Sequence, residues 1–422
     1  MNKYINRNAE QEVLSLAKQF PVVMITGPRQ VGKSTMLNYI GETFYKKMNY
    51  VSLDSIKDRT LALKDPELFL ENYETPLIID EFQYAPNLLS YIKIKVDNQK
   101  TKNTFASKND LTAMYYLTGS QSFLSMKGVS ESLAGRVGII DLYGLSTREL
   151  NGGENSLFVP DIDKLKKMGI PPTNLTNKEL FQRIFKGGFP ETYKNKDILL
   201  EKYFENYVKT YIERDIRDII NVKNEIKFMK FITSIAARTG QELNASDVAK
   251  DVETSVPTVN EWLSVLVNTG LVILLETYDK NILKRVVKRP KIYFMDTGLA
   301  CYLTKYPNST VLENSAYAGH IFETFVVSEI IKSFANNGLN AKRHLYYYRD
   351  NSGREIDLVM EYNNKLYPIE IKKSKNPGSE ATKNFGGLEE TKKEIAPGIV
   401  LCMIDQIFPI DRNNYAVPIW YI

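Results

Sequence analysis

An α/β fold built around a parallel sheet is what this sequence predicts, and three observations carry it. The apolar run PVVMIT (Pro21 to Thr26) leads into the glycine-framed stretch GPRQVGKS, and a helical pattern starts at Thr35. A second apolar run, PLIIDEF, ends in adjacent carboxylates at Asp80 and Glu81. Three further strand-like runs, NYVSLD, AMYYLTGS and VGIIDLYGLS, are separated by helical or loop stretches. Such spacing suits strands joined by crossovers rather than by hairpins.

Bulk properties set the frame. A chain of 422 residues is too long for one hydrophobic core, so several domains are expected. With 43% hydrophobic and 25% charged residues, the composition is that of an ordinary globular protein. No apolar run approaches the roughly 20 residues of a membrane span, so no membrane partner is expected. The opening MNKYINRNAEQEV is polar, without a signal-peptide core, which points to the cytoplasm. Cys301 and Cys402 lie far apart, which argues against a disulfide framework or a cysteine zinc site. His320 and His344 read as packing or surface residues. The net charge of +5, from 55 basic and 50 acidic residues, permits nucleic-acid binding without arguing for it.

Strand, glycine loop and helix in that order form a phosphate-binding loop. Gly27 and Gly32 let backbone amides turn inward, Lys33 reaches the β and γ phosphates, and the Ser34 hydroxyl ligates Mg²⁺. Pro28, Arg29, Gln30, Val31 and Thr35 complete the binding segment. Asp80 suits the same metal, through water, and Glu81 can polarise an attacking water. Ser120 ends the strand expected beside the acidic pair, where a hydroxyl can sense the γ-phosphate. Arg136, in SESLAGRV, reads equally as a surface ion pair or as a guanidinium for the γ-phosphate of a neighbouring subunit.

The order GPRQVGKS, LIIDE, LTGSQS and SLAGR resembles the prokaryotic AAA-type ATPases, close to archaeal ATPases and STAND-type switches. The resemblance implies ATP and Mg²⁺ as cofactors, a homo-oligomer, and an arginine finger at Arg136. Its sensor residue is commonly asparagine, where this sequence has Ser120. Residues 151–177, rich in Gly, Pro and Asn, read as an irregular insertion. FKGGFPETY then looks like the lid motif of STAND-type ATPases, which makes Pro190 the candidate base contact beside Gly188; a helix-ending turn is the competing reading. Paired apolar residues from Leu199 predict an amphipathic helix. With residues 151–225 as insertion and helical lid, the ATPase core is expected over 1–150.

Residues 226–300 have winged-helix order. IKFMKFITSIAART precedes NASDVAKDV, with Ser246 as expected N-cap, then SVPTVNEWLSVLVNTG with Pro257 in its first turn. LVILLETY and PKIYFMD supply wing strands. The third helix carries no Lys or Arg, while Lys284, Arg285, Lys288 and Arg289 sit in the wing, where they can grip phosphates without sequence preference. A structural role is the favoured one. Residues 301–319 read as a polar, irregular linker.

Within residues 320–422, REIDLVMEYNNKLYPIEIKKS predicts a hairpin turning at Asn363 and Asn364, because Asn tolerates the left-handed backbone of a two-residue turn. Asp357 then faces Glu370, Glu355 faces Lys372, and Ile356, Leu358, Ile369 and Ile371 fall on the opposite face. Opposed carboxylates destabilise a ladder unless a cation lies between them. Lys372 projects from the same face, where it can orient water or neutralise a transition state. A solvated face relieved by Lys372 and Lys373 explains the pattern as well. With Glu323 in GHIFE, the set resembles the PD-(D/E)xK restriction-endonuclease-like fold, with Ile356 in place of the usual proline. That likeness implies Glu323, Asp357 and Glu370 as metal ligands and Lys372 as catalytic. The whole chain resembles a prokaryotic AAA-type family ending in such a domain. The implied function is an ATPase coupled to a nuclease-like domain acting on DNA or RNA. The alternative is a STAND-like switch whose nuclease-like domain is a non-catalytic assembly module.

Overall fold

The run Val22–Thr26 (β1) is buried throughout, as befits a strand covered on both faces, and this explains why its sequence shows no alternation. It is followed by Asn49–Ser52 (β2), Leu77–Asp80 (β3), Tyr115–Thr118 (β4) and Val137–Asp141 (β5). In the computed structural model, which describes residues 4–102, 113–119, 132–168, 175–211 and 225–422, the sheet order is β2-β3-β4-β1-β5. Every pairing is parallel. The expected parallel α/β core is therefore present, and the ends of β1, β3 and β4 meet along one edge. Helices Glu10–Gln19 and Lys33–Phe44 contribute Val13, Ala17, Met36, Leu37 and Ile40 to its core.

Between the sheet and residue 225, helix Asn177–Lys186 opens with a capping box of Thr176 and Glu179. Helix Pro190–Lys194 carries proline in its first turn, and helix Leu200–Tyr207 follows. Three helices, Glu225–Ala237, Ala245–Val252 and Val256–Asn268, then pack beside a small antiparallel sheet. Its strands Gln241–Glu242 (β6), Val272–Leu275 (β7) and Lys291–Phe294 (β8) lie in the order β6-β8-β7. Helix Ile282–Val287 is inserted between β7 and β8. Asn244, not Ser246, caps the second helix: Asn244 is extended and accepts the Ser246 amide at 3.1 Å. Ser246 is already helical, so it cannot serve.

The segment expected as an irregular linker is largely helical. Helix Thr297–Leu303 extends into it, helix Ser309–Glu313 follows, and Cys301 and Leu312 are fully buried. Short helices with polar outer faces leave little periodic trace in a sequence.

Helix Ala318–Asn336 is buried almost all round, the mark of a helix inside a molecule rather than on it. It packs on a mixed sheet built from Leu345–Arg349 (β9), Glu355–Tyr362 (β10), Lys365–Lys372 (β11), Glu394–Ile395 (β12), Gly398–Cys402 (β13), Phe408–Pro409 (β14) and Asn414–Pro418 (β15). The order is β14-β15-β13-β11-β10-β9, with β12 also on β11. Backbone bonds join this sheet to the middle domain, Tyr278 N to Tyr347 O at 2.6 Å and Tyr347 N to Glu276 O at 3.0 Å.

The β10–β11 hairpin turns at Asn363 and Asn364, both left-handed (φ 48° and 61°), and pairs Leu358 with Ile369 and Tyr362 with Lys365. The ladder ends at Leu358 and Ile369, short of the expected Asp357–Glu370 and Glu355–Lys372 pairs, and a second expectation also fails. Ile356 does not share a face with Leu358; it packs with Val359 and Leu366, while Leu358, Ile369 and Ile371 face the long helix side. The register against β9 shifts between Ile356 and Val359, and such an irregularity reverses the alternation.

Candidate functional site

Gly27 has φ 137°, and a Cβ there would lie 2.0 Å from the Leu142 carbonyl oxygen. Only glycine fits where the loop leaves β1. From this point the loop curls around Lys33, whose Nζ donates to the carbonyls of Gly27 at 2.9 Å and Pro28 at 2.8 Å. Burial pushes the Lys33 ammonium down to about 8, against the pull of Glu81 and Asp80. Ser34 Oγ donates to Asp80 Oδ1 at 2.6 Å, and Tyr50 Oη donates to Asp80 Oδ2 at 2.9 Å. Thr118 makes a further close bond to the same carboxylate. These hard oxygens, Ser34 hydroxyl beside Asp80 carboxylate, fit a Mg²⁺ ion whose remaining ligands are phosphates and water.

Glu81 is left-handed, with φ 54° and ψ 42°, a strained state for a side chain that recurs at reacting centres. Its amide donates to Thr118 Oγ1 at 3.2 Å, and its carboxylate accepts from Gln83. A cavity of about 580 Å³ opens over the loop, a volume suited to a nucleotide. Arg29, Gln30, Val31, Gly32, Lys33, Ser34, Thr35, Glu81 and Pro190 line it, with Tyr4, Ile5, Arg7, Leu145 and Tyr203. Pro190 is thus brought to the loop. The turn before it depends on Gly187 (φ 74°), where a Cβ would come within 2.4 Å of Asp296 Oδ1. Asp296 accepts the Gly188 amide at 2.7 Å, and Gly188 O accepts Leu145 N at 2.6 Å.

Of two further expected residues, one is not described and the other stands away from the cavity. Ser120 lies outside the described residues. Arg136 does not line the cavity of its own chain; its guanidinium grips Asp97 through bonds of 2.7 and 2.9 Å. One residue was missed altogether. Arg7 is 5% exposed and donates to Val31 O and Tyr143 O, each at 2.7 Å, and to Glu149 Oε1 at 2.9 Å. It ties the phosphate loop to the segment after β5, across sequence distances that no local pattern betrays.

In the C-terminal domain, Asp357 Oδ2 accepts the Ile371 amide at 2.9 Å, and Lys372 Nζ lies 2.6 Å from Glu370 and 3.6 Å from Asp357. Glu323, on the long helix, faces the same cluster. A second missed residue enters here: Lys291, from β8. Its Nζ lies 2.6 Å from Glu355, 3.2 Å from Glu323 and 3.8 Å from Asp357, with 3% of its side chain exposed. Tyr293 Oη donates to Glu323 at 2.7 Å. Burial and the neighbouring Asp357 raise both Glu323 and Glu370. The residues expected as ligands, Glu323, Asp357 and Glu370, are therefore brought near one another, but ammonium groups supply the positive charge among them. Among the described residues, no group of three or more His, Cys, Asp or Glu is arranged to hold a metal ion.

Two of the wing charges, Arg285 and Lys288, are engaged internally. Arg285 lies over the rings of Tyr278 and Tyr346 at 4.5 and 4.8 Å, and Lys288 pairs with Asp279 at 3.3 Å. Among the described residues, no helix is long and apolar enough to cross a membrane.

Residues 19–151 match the family model of an AAA domain. Residues 177–310 and 318–422 match two domains of unknown function, DUF8612 and DUF4143. Loop, acidic pair, sheet order and AAA match together support an ATP-binding, AAA-type P-loop ATPase. The chain is similar to the uncharacterized proteins Rv2008c of Mycobacterium tuberculosis and Mb2031c of Mycobacterium bovis. Each is 27% identical over 371 residues, covering 88% of this chain and 74% of the relative. Among solved structures, the Walker-type ATPase PABY2304 of Pyrococcus abyssi aligns over 71% of this chain and 96% of its own, at 14% identity and TM-score 0.41.

Proposed function

We propose that this chain hydrolyses ATP with Mg²⁺ and passes its nucleotide state to the C-terminal domain through helix Ala318–Asn336. The observation that carries the coupling is at Leu145, which lines the nucleotide cavity and whose carbonyl accepts from Lys332 Nζ at 3.2 Å. On the same helix, Glu329 accepts the Thr147 amide at 2.6 Å and pairs with Lys332 at 2.7 Å.

In this reading the loop amides and Lys33 hold the β and γ phosphates, and Ser34 and Asp80 hold the ion. Bound there, Mg²⁺ neutralises charge on the phosphate oxygens. Glu81 orients a water in line with the γ-phosphorus and draws on its proton. The new P–O bond forms as the bond to the β-phosphate oxygen breaks, and the electron pair leaves on ADP. Pro190, Tyr4, Ile5 and Tyr203 surround the base.

Two variants test the hydrolytic half. Lys33→Ala should lose nucleotide binding, followed with a fluorescent ATP analogue. Glu81→Gln should bind ATP but turn it over about 10² to 10⁴-fold more slowly. Hydrogen exchange with and without ATPγS tests the coupling: protection should extend into residues 318–336, and a change confined to the ATPase core would refute it.

For the C-terminal domain, Lys291 among the acids favours a non-catalytic assembly module over a nuclease, with residues 226–300 as a structural winged helix. Nucleotide-dependent changes in size, without cleavage of DNA or RNA in Mg²⁺ or Mn²⁺, are the expected outcome. Metal-dependent cleavage abolished by Lys372→Ala would establish the nuclease instead.

A further inference from the structure

We infer that Tyr50, on the edge strand β2, is a positioning residue for Mg²⁺, its hydroxyl fixing the orientation in which Asp80 holds the ion. This rests on the ATPase reading and adds the residue that aims its metal-binding acid. Register brings the two together. Tyr50 lies opposite Ile78, and Ser52 opposite Asp80. Ile78 packs with Met36 and Ile40 of helix Lys33–Phe44, while Leu77 and Ile79 join the cluster on the other face of the sheet. Residues two apart on a strand share a face, so Asp80 and Tyr50 both point toward the helix that carries Ser34. Two residues of strand rise, about 7 Å, separate Tyr50 from the level of Asp80. A phenol covers that span: Tyr50 Oη donates to Asp80 Oδ2 at 2.9 Å.

This bond complements two others. Ser34 Oγ donates to Asp80 Oδ1 at 2.6 Å, and Thr118 Oγ1, from β4 on the opposite side, donates to the same oxygen. An ionised carboxylate offers about four acceptor sites. Among the described residues, two donors sit on Oδ1 and one on Oδ2. The capacity left for water around an ion therefore falls on the oxygen that Tyr50 holds. A phenol donates one O–H and carries no charge at neutral pH, so it orients the acid without neutralising it. Packing does not account for this tyrosine, which is 44% exposed and outside the hydrophobic clusters. Nor does Tyr50 line the nucleotide cavity, so its effect passes through Asp80.

Mg²⁺ gives up water reluctantly, so a carboxylate that meets it through water has to be aimed. Rotation about the Asp80 Cβ–Cγ bond is soft. Ser34 and Thr118 pin one oxygen, and Tyr50 fixes the other. Hydrogen-bond partners one step removed from a metal are typically worth about 10- to 100-fold in metal affinity.

Calorimetry on full-length chains, measuring ATPγS affinity in Mg²⁺ and in EDTA, tests the assignment. The ratio of the two affinities is the strengthening due to the ion. Tyr50→Phe keeps the ring and its strand preference. It should cut the ratio about tenfold and leave the affinity in EDTA within about twofold of wild type. Tyr45→Phe, which removes a hydroxyl bonded to that of Tyr116, should leave both values as they are. In chains carrying Asp80→Asn, adding Tyr50→Phe should change the ratio by less than about twofold, because the two residues act as one unit. An unchanged ratio in Tyr50→Phe overturns the assignment. So does an equal loss of affinity with and without Mg²⁺, which would mark a role in shaping the domain. A further loss of about tenfold on the Asp80→Asn background also overturns it, since Tyr50 would then act elsewhere. A wild type whose affinity ignores Mg²⁺ does the same. A wild type that binds ATPγS more tightly with Mg²⁺ but does not hydrolyse ATP defeats the ATPase reading alone, because the ratio still decides for Tyr50.

Discussion

Removing the Arg7 guanidinium would leave the buried Glu149 without its cation and take a donor from the carbonyls of Val31 and Tyr143. Breaking a buried ion pair by deleting one partner typically costs about 3–5 kcal/mol, so Arg7→Ala should lower the urea midpoint by a corresponding amount and weaken ATP binding. Arg7→Lys should not restore stability, because one ammonium cannot reach three acceptors in a fork arrangement. A second residue-scale expectation concerns pH. Burial raises Tyr115 to about 12 from 10.0 and Cys402 to about 12 from 9.0. Both native groups keep protons that the unfolded chain releases, so their contribution is complete below pH 9 and declines as pH climbs toward 12. Urea midpoints at pH 8, 10 and 11 should fall in that order, and a flat profile would contradict it. The phosphate loop and the acid pair were legible because contiguous residues define them. Arg7 and Lys291 were not, since each works through partners distant in sequence and neither belongs to a local pattern.

At the scale of elements, the hairpin shows how far a turn can carry a sequence argument. Two asparagines in the left-handed region fixed the pairing of β10 with β11, and with it the convergence of Asp357, Glu370 and Lys372. What the turn could not convey was the register shift against β9, which depends on a third strand and moved Ile356 to the other face. Asn363→Val places a β-branched residue at φ 48° and should destabilise by about 1–3 kcal/mol. Asn363→Gly should stay within about 0.5 kcal/mol of wild type. Equal melting temperatures for the two variants would show that the turn does not set the register. The strands β1, β3 and β4 of the first sheet were readable from apolar runs alone, because burial on both faces removes the ambiguity of alternation. Helix Ser309–Glu313 was not, being short, with Leu312 its one fully buried residue.

For the molecule as a whole, the decisive charge is the one shared between domains. Lys291 leaves the middle sheet to sit among acids of the C-terminal domain, so the two domains are joined by an ion cluster as well as by backbone bonds. Lys291→Met should destabilise the chain by about 3–5 kcal/mol. Adding Glu355→Gln, which removes one of the stranded charges, should recover part of that loss in chemical denaturation. Additive losses would mean that the two groups do not interact. Helix Ala318–Asn336 has a further consequence for anyone wishing to take this protein apart. Glu323 and Lys332 are separated by about 13 Å along its axis at the usual rise, so one rigid rod bears both the acid cluster of the C-terminal sheet and the contact to Leu145. Because its sides are clothed by three different neighbours, severing the chain ahead of residue 318 would bare greasy surface, and the excised tail should clump rather than report on its own chemistry.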